Sequence, residues 1–308
     1  MGSHSEREYI IKTVQLFNGV MLAANLVEAT PGASASLVVK LCGRSKLGFY
    51  LDPMTYAYGA YVDPATGSER EDLDWIKSEQ RRKGKLVRDF KSSYRKLAER
   101  LGAPFDSAIE RNSAVTPEDF KDDAVLAQAC ESVADYQVQR IRREFDDPEY
   151  AEFRQDLPTP AVVFAPYFYI GPFGWEAWLD LSLSLAKRTA GQRLPVGVHA
   201  VICADRSFLS EPTFVSRLVN EIPSTGVRGV WLWFSKFDEY RANVEELRTF
   251  RQLIERLAGL GLEVFNMHGG YFSLVLSKFG LKGVVQAVGY GEQKDVVPVI
   301  GQSTPTVR

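Results

Sequence analysis

The chain has 308 residues, of which 45% are hydrophobic and 25% are charged, a balance typical of a globular domain with one large core. The formal net charge of −2 excludes a whole-protein attraction to nucleic acid or membranes, so any such contact needs a local basic patch. No run of 18 apolar residues is present, so we expect no membrane span. Residues 1–5 read as a cloning remnant, which leaves residues 6–308 as a single domain.

Short apolar runs typical of buried parallel strands recur along the chain. In chain order they are 48–52, 161–165, 195–204, 227–234, 262–267 and 283–288, with weaker candidates at 9–17 and 296–300. Amphipathic helical patterns separate the later runs, at 176–189, 211–222, 243–259 and 271–279. This alternation, at roughly 30 to 40 residues per unit, predicts an α/β fold with a parallel sheet, most simply a TIM-like (β/α)8 barrel. An open doubly wound sheet is the alternative, but the Gly-rich dinucleotide fingerprint is missing.

Residues 63–150 interrupt this rhythm. They are polar and strongly charged, and we interpret them as a helical insertion between two barrel strands, on the rim side. Lysine and arginine crowd into residues 81–100 of the insertion, and the candidate contact residues are Arg82, Lys85, Arg88, Lys91 and Arg95. Such a face could bind nucleic acid or an acidic protein partner. The alternative is an ordinary solvated helix face.

The cysteine and histidine content bounds the metal and redox chemistry. Cys42, Cys130 and Cys203 lie far apart without a CxxC pair, so neither a zinc site nor a disulfide framework is predicted. We therefore expect a reducing, cytoplasmic setting and no cofactor. With three histidines in the chain, one of them within residues 1–5, metal-assisted hydrolysis is the least favoured chemistry.

Polar side chains at the C-terminal ends of barrel strands converge on one pocket, which gives the first candidate site residues. Asp52 follows the first clear strand, and it is either a general base, an acceptor that recognises a nucleobase, or a turn aspartate. Tyr167 could stack on a planar ligand, although packing of its loop is an alternative. Arg206 and Lys236, each at the end of a later strand, could hold a phosphate, although Arg206 could instead pair with its neighbour Asp205.

The later strand ends supply the remaining candidates. His268 could transfer protons near neutral pH, or it could be structural. Gly269 and Gly270 follow it, and paired glycines between a strand and a helix would let a ligand approach the backbone. Tyr290 could contact the ligand, and Glu292, on a glycine loop, is a candidate nucleophile or acid, with a plain salt bridge as the alternative.

The order of the strand-end motifs resembles the tRNA-guanine transglycosylase family and its relatives that insert deazapurines into DNA. The motifs are LDPMTYAYG, VVFAPYFYIGP, PVGVHAVICAD, VRGVWLWFSK, LEVFNMHGG and FGLKGVVQAV. The resemblance implies a (β/α)-barrel and a base-exchange glycosyltransferase, and Asp52 matches a family aspartate. The sequence departs from the family at a second aspartate (Pro166 or Tyr167), a glutamine (Cys203 or Ala204) and the nucleophile (Gln286 or Ala287), and it lacks the zinc cysteines. Glu292 or Asp295 could substitute as the nucleophile.

The function expected from these observations is action on a purine-type base, or its binding, either as a free nucleotide or in nucleic acid. Barrels of this kind also occur in bacterial antiphage islands, which implies a role in antiviral defence. The alternative is a catalytically inactive barrel that serves as a nucleic-acid- or protein-binding module in a larger complex. No contact with a membrane is expected in either case.

Overall fold

The structure is a computed structural model that describes residues 4–43, 47–62, 69–70, 77–82, 85–90, 92–111, 113–146, 157–286 and 296. The α-helices are α1 (His4–Lys12), α2 (Ala24–Ala29), α3 (Pro31–Val38), α4 (Ser92–Leu101), α5 (Phe105–Arg111), α6 (Asp123–Arg143), α7 (Trp175–Ala190), α8 (Pro212–Glu221), α9 (Val244–Gly259) and α10 (Tyr271–Leu276). The strands are β1 (Gly19–Ala23), β2 (Gly48–Asp52), β3 (Tyr61–Val62), β4 (Glu69–Arg70), β5 (Lys77–Arg82), β6 (Lys85–Phe90), β7 (Val163–Phe164), β8 (Tyr169–Ile170), β9 (Val198–Asp205), β10 (Gly229–Ser235), β11 (Glu263–Asn266) and β12 (Leu281–Val284).

Parallel strands form the centre of the fold. β12, β11, β10, β9 and β7 lie side by side in that order, and β8 also pairs with β9. β1 and β2 form a second parallel pair. A backbone hydrogen bond links β2 to the segment that leads into β7, because the Ala161 N–H donates to the Phe49 carbonyl at 2.8 Å. The predicted α/β class with a parallel sheet is therefore confirmed. In the described part of the chain, no strand pairing closes β12 onto β1.

Each strand sends alternate side chains to opposite faces of the sheet. On β10, Val230 and Leu232 face the helices and join the large aliphatic core. Trp231 and Trp233 face the other way, into a smaller cluster dominated by aromatic side chains. β9 and β10 are buried along their whole length, which explains why their sequences show no polar alternation. The sheet therefore has an outer face covered by helices and an inner aromatic face.

The helices that cover the outer face begin and end where their sequences indicate. α9 begins at a capping box in which the Asn243 and Glu246 side chains each bond the other's backbone N–H, and its apolar face includes Phe250 and Leu257. The turn that follows it passes through Gly261 at a φ of 86°, a left-handed conformation that glycine adopts without strain. The next strand, β11, starts two residues later.

The region at residues 63–150 is helical in its later part, as predicted, with α4, α5 and α6, but its earlier part differs from the prediction. The basic residues 77–90 do not form a helix but the antiparallel hairpin β5–β6, in which Arg82 pairs with Lys85. In the sequence, a two-residue spacer with a glycine, Gly84, separates the two runs, a hairpin signal that the charge pattern obscured. The helices that follow are not an appendage, because buried residues of α6, such as Val133 and Ile141, belong to the main core.

Two further strand predictions are corrected. Residues 9–17 contain the end of α1 and a short 3-10 helix instead of a strand, and the first strand is β1. β1 starts at Gly19, where a Cβ would meet the Gly48 carbonyl oxygen at 2.8 Å, so the close approach of the two strands requires a glycine. The strand expected at 283–288 starts earlier, at Leu281. Of the candidate strand 296–300, only Val296 lies within the described residues.

Side chains replace part of the ladder between β2 and β7–β8. The Gln137 amide of α6 donates to the Phe164 carbonyl and accepts from the Phe164 N–H, both at 2.8 Å. The Thr55 hydroxyl similarly accepts from the Tyr167 N–H at 2.8 Å and donates to the Tyr167 carbonyl at 2.7 Å. These side chains take bonds that a neighbouring strand would otherwise make, and they do so beside the C-terminal end of β2.

Candidate functional site

Asp52 ends β2 on the inner face, where its side chain is 7% exposed. Its Oδ1 accepts a hydrogen bond from the Met54 N–H at 2.9 Å and another from the Tyr167 hydroxyl at 2.8 Å. Burial raises the pKa of Asp52 to about 6, although these two hydrogen bonds and the nearby His268 act to lower it. A carboxyl that titrates in this range can both give and take a proton near neutrality.

Aromatic rings surround Asp52. Tyr56 stacks on Tyr167, with ring centroids 5.5 Å apart, and presents its edge to Trp233 at 5.0 Å. Trp233 in turn contacts His268, at 4.6 Å between ring centroids. Burial raises the pKa of both tyrosines well above the usual value, so they remain neutral hydrogen-bonding groups. Neither Tyr56 nor Trp233 was among the site residues predicted from the sequence, although both fall on the inner face.

The structure brings Asp52 and His268 together, as the strand-end argument expected. His268 follows β11 and is half-buried, close enough to Asp52 to lower the pKa of that carboxyl. Tyr167 lies at the same end of the inner face but is only 1% exposed. Its ring stacks on Tyr56 and its hydroxyl donates to Asp52. In this structure Tyr167 therefore holds Asp52 in place rather than presenting an open stacking face.

A second tyrosine–aspartate bond lies on the same inner face. The Tyr169 hydroxyl donates to Asp205 Oδ2 at 2.8 Å, and Asp205 Oδ1 accepts from the Ser207 N–H at 2.9 Å. Asp205 ends β9 as Asp52 ends β2, and each aspartate also accepts a bond from the backbone two residues further on. The alternation Tyr167–Tyr169 in the sequence was the available signal for this pair of contacts.

Gly269 and Gly270 approach parts of their own chain. A Cβ on Gly269 would overlap Ser273 Oγ and a methyl group of Val284, and a Cβ on Gly270 would overlap the Glu239 carboxylate. Glu239 also accepts the Phe272 N–H at the start of α10, at 3.0 Å. Close packing thus explains both glycines, and a carboxylate of the chain itself occupies the start of the following helix.

The two candidate phosphate-binding cations differ in their surroundings. Arg206 makes a bidentate ion pair with Glu246, at 2.6 and 2.9 Å, so its guanidinium is already engaged. Lys236 is exposed and has a φ of 63°, a left-handed conformation that is uncommon for a residue with a Cβ. Met54, two residues after Asp52, shares this conformation at 54°. Met54 and Lys236 both lie just beyond the C-terminal ends of parallel strands. We call this end of the inner face, which also carries Asp52, Tyr167 and His268, the inner mouth.

The remaining predicted residues cannot be placed at this site. Glu292, Tyr290 and Lys91 lie outside the described residues. Arg82, Lys85 and Arg88 are in the β5–β6 hairpin, where only the backbone is described, and Arg95 is exposed on α4. The nucleophile and nucleic-acid-contact assignments therefore stay predictions.

The buried histidine and cysteines bear on other chemistries. His199 Nδ1 accepts from Trp231 Nε1 at 2.9 Å, and burial lowers the pKa of His199 to about 4, so it is neutral at ordinary pH. Cys203 lies near Asp52, but burial raises the pKa of its thiol and disfavours the reactive thiolate. Over the described ranges, no three His, Cys, Asp or Glu side chains cluster as metal ligands. None of the described helices combines the length and apolarity needed to cross a bilayer.

Comparison with known proteins leaves the resemblance untested. No family model, curated protein or solved structure matches this chain.

Proposed function

We propose that the chain is a divergent transglycosylase-like (β/α)8 barrel that binds a purine-type base at its inner mouth and exchanges it on a nucleoside. The observation that carries the proposal is Asp52, a buried carboxyl with a pKa of about 6 at the C-terminal end of a parallel strand, among aromatic rings. A flat heterocycle needs apolar walls and a polar group at its edge, and this mouth offers both.

Closure of the barrel is part of this proposal. Seven parallel strand positions run from β1 to β12, with β7 and β8 sharing one of them. Val296 belongs to the inner aromatic cluster, and its N–H donates to Ser235 Oγ at the end of β10, at 3.0 Å. This contact brings the chain beyond β12 back to the inner face, which an eighth element of a barrel would require.

The proposed chemistry divides between two carboxyl groups. When the glycosidic C–N bond breaks, its electron pair stays with the departing base, and protonated Asp52 gives that base a proton. A nucleophilic carboxylate forms the new bond to the anomeric carbon, and Glu292 is our candidate for it. The incoming base then attacks the anomeric carbon, and the C–O bond breaks with its electron pair returning to the carboxylate. The proton that the incoming base loses passes back to Asp52.

Calorimetric titration with guanine, 7-deazaguanine, adenine and uracil tests the binding step. We expect the purines to bind, uracil to bind weakly, and Asp52→Asn to weaken purine binding by about tenfold or more because the exchangeable proton is lost. Asp238→Asn is the matched control, because Asp238 Oδ1 also accepts a backbone N–H two residues further on, from Tyr240 at 3.0 Å, and no tyrosine hydroxyl is described as donating to it. Equal purine binding by wild type and Asp52→Asn would overturn the proposal.

Incorporation of labelled guanine into tRNA, DNA or free guanosine tests the exchange step. We expect incorporation into one of the three and its loss in Glu292→Gln. Purine binding without any incorporation would instead support the inactive binding module.

A further inference from the structure

Tyr167 is attached at two places to the short segment that begins with Asp52. The Tyr167 hydroxyl donates to Asp52 Oδ1 at 2.8 Å. The backbone N–H and carbonyl of Tyr167 both bond the hydroxyl of Thr55, which is three residues after Asp52. All three side chains are buried. Because the Thr55 clamp fixes the backbone of Tyr167, the direction from which its hydroxyl reaches Asp52 is also fixed.

The two oxygens of Asp52 are therefore not equivalent. The hydrogen bonds described for this carboxyl both end on Oδ1, from the Met54 N–H at 2.9 Å and from the Tyr167 hydroxyl. These bonds use both acceptor positions of that oxygen, and a proton placed on Oδ1 would displace one donor. The neutral carboxyl thus carries its proton on Oδ2.

We infer that Asp52 exchanges its proton with a ligand through Oδ2 alone, and that Tyr167 and Thr55 are positioning residues that keep Oδ1 engaged. The identity of the ligand rests on the proposed function, whereas the orientation of the carboxyl does not.

This orientation narrows the class of ligand. A protonated Oδ2 donates to a lone pair, and an ionised Oδ2 accepts an N–H, so the matching edge is a ring nitrogen or carbonyl that can itself gain or lose a proton. A purine-type ring with an unsubstituted edge nitrogen fits this requirement. A ring in which that nitrogen carries a methyl group does not, because it offers neither the lone pair nor the N–H.

The titratable groups that interact electrostatically with Asp52 include Tyr56, Tyr94, Tyr167, Cys203 and His268. Burial raises the pKa of the three tyrosines and of Cys203, so these four are neutral wherever Asp52 titrates. His268 also acts on Asp52, whose pKa it lowers. His268→Asn therefore separates the contribution of this ring from that of the clamp.

Carbon-13 NMR of labelled aspartate carboxyls, with Asp52 assigned by its absence in Asp52→Asn, tests the clamp without any ligand. In Tyr167→Phe we expect the titration midpoint of Asp52 to rise by about one pH unit, because the charged form loses a donor. Thr55→Val should move the midpoint in the same direction, and Thr55→Ser, which keeps the hydroxyl, should restore the wild-type value. Tyr169→Phe, which removes the equivalent bond to Asp205, should leave Asp52 unchanged.

An unchanged midpoint in Tyr167→Phe would overturn the clamp, and so would equal midpoints in Thr55→Ser and Thr55→Val. Should Thr55→Val not fold, Tyr167→Phe and Thr55→Ser still decide the matter. Equal binding of a purine and its edge-methylated analogue would overturn the ligand class. If the titration midpoint of Asp52 shifts as expected but no purine binds, the orientation of the carboxyl is supported and the proposed function is wrong.

Discussion

Asp52 occupies a position where a charged carboxylate destabilises the fold. Its pKa is raised by burial from 3.8 to about 6, so the folded state binds more protons than the unfolded state between these two values. Stability therefore falls as the pH rises through this window. Above pH 6 the full penalty, on the order of 2–3 kcal/mol, is present. A buried carboxyl with a raised pKa is typical of functional sites, which agrees with the role proposed for Asp52.

We predict that Asp52→Asn is at least as stable as the wild type at pH 7.5, with an advantage of up to about 2 kcal/mol that shrinks as the pH approaches 4. The amide oxygen can still accept from the Met54 N–H and the Tyr167 hydroxyl, because both bonds end on one oxygen. Urea unfolding at several pH values measures this difference. A variant that loses several kcal/mol at pH 7.5 would contradict the prediction.

At the scale of elements, α6 acts as a substitute strand partner. Gln137 is fully buried, and its amide satisfies both the N–H and the carbonyl of Phe164 on the side of β7 that faces β2. The Thr55 hydroxyl does the same for Tyr167 further along. Because these two side chains make the hydrogen bonds, β2 and β7–β8 do not form a continuous ladder with each other. Asp52 and the aromatic rings around it lie where that ladder is interrupted.

We predict that Gln137→Leu lowers the free energy of unfolding by about 2–4 kcal/mol, because it leaves a buried N–H and a buried carbonyl without partners. Gln128→Leu, on an exposed position of the same helix, should change stability by less than about 0.5 kcal/mol. Chemical denaturation measures both values. Similar changes in the free energy of unfolding for the two variants would show that the contacts with Phe164 do not contribute to stability.

At the scale of the whole molecule, a buried ion pair joins the N-terminal helices to the central region. Arg140 of α6 donates to Glu28 of α2 at 2.5 Å and to Glu144 at the same distance, and both members of the first pair are almost fully buried. The Tyr136 hydroxyl also donates to Glu28, at 3.0 Å. The region interpreted from sequence as a rim insertion is thus tied into the core.

We predict that Arg140→Met costs about 3–5 kcal/mol of stability, because Glu28 is left buried without its cation, and that adding Glu28→Gln recovers part of the loss. Arg143→Met removes an exposed ion pair with Asp135 on the same helix, and it should cost no more than about 1 kcal/mol. A double-mutant cycle from urea unfolding measures the coupling. Additive effects of the two substitutions would contradict the prediction.

The sequence by itself determined the parallel sheet and the C-terminal ends of four of its strands. β2 matches its predicted bounds, and β9, β10 and β11 lie within a residue or so of the C-terminal ends of their predicted runs, because strands buried on both faces must be apolar throughout. Parallel strands also end at one edge of the sheet, so Asp52 and His268 could be assigned to one mouth without knowing any contact between them.

Only the tertiary structure decided what those side chains do. The sequence suggested that Tyr167 stacks on a ligand, but in the structure its hydroxyl donates to Asp52. It also suggested that Gly269 and Gly270 leave room for a ligand, but other residues of the chain pack closely against them. Thr55 and Gln137 carried no sequence signal at all, since their partners lie 112 and 27 residues away. A hydrogen bond depends on where two distant segments meet, and local pattern contains no information about that distance.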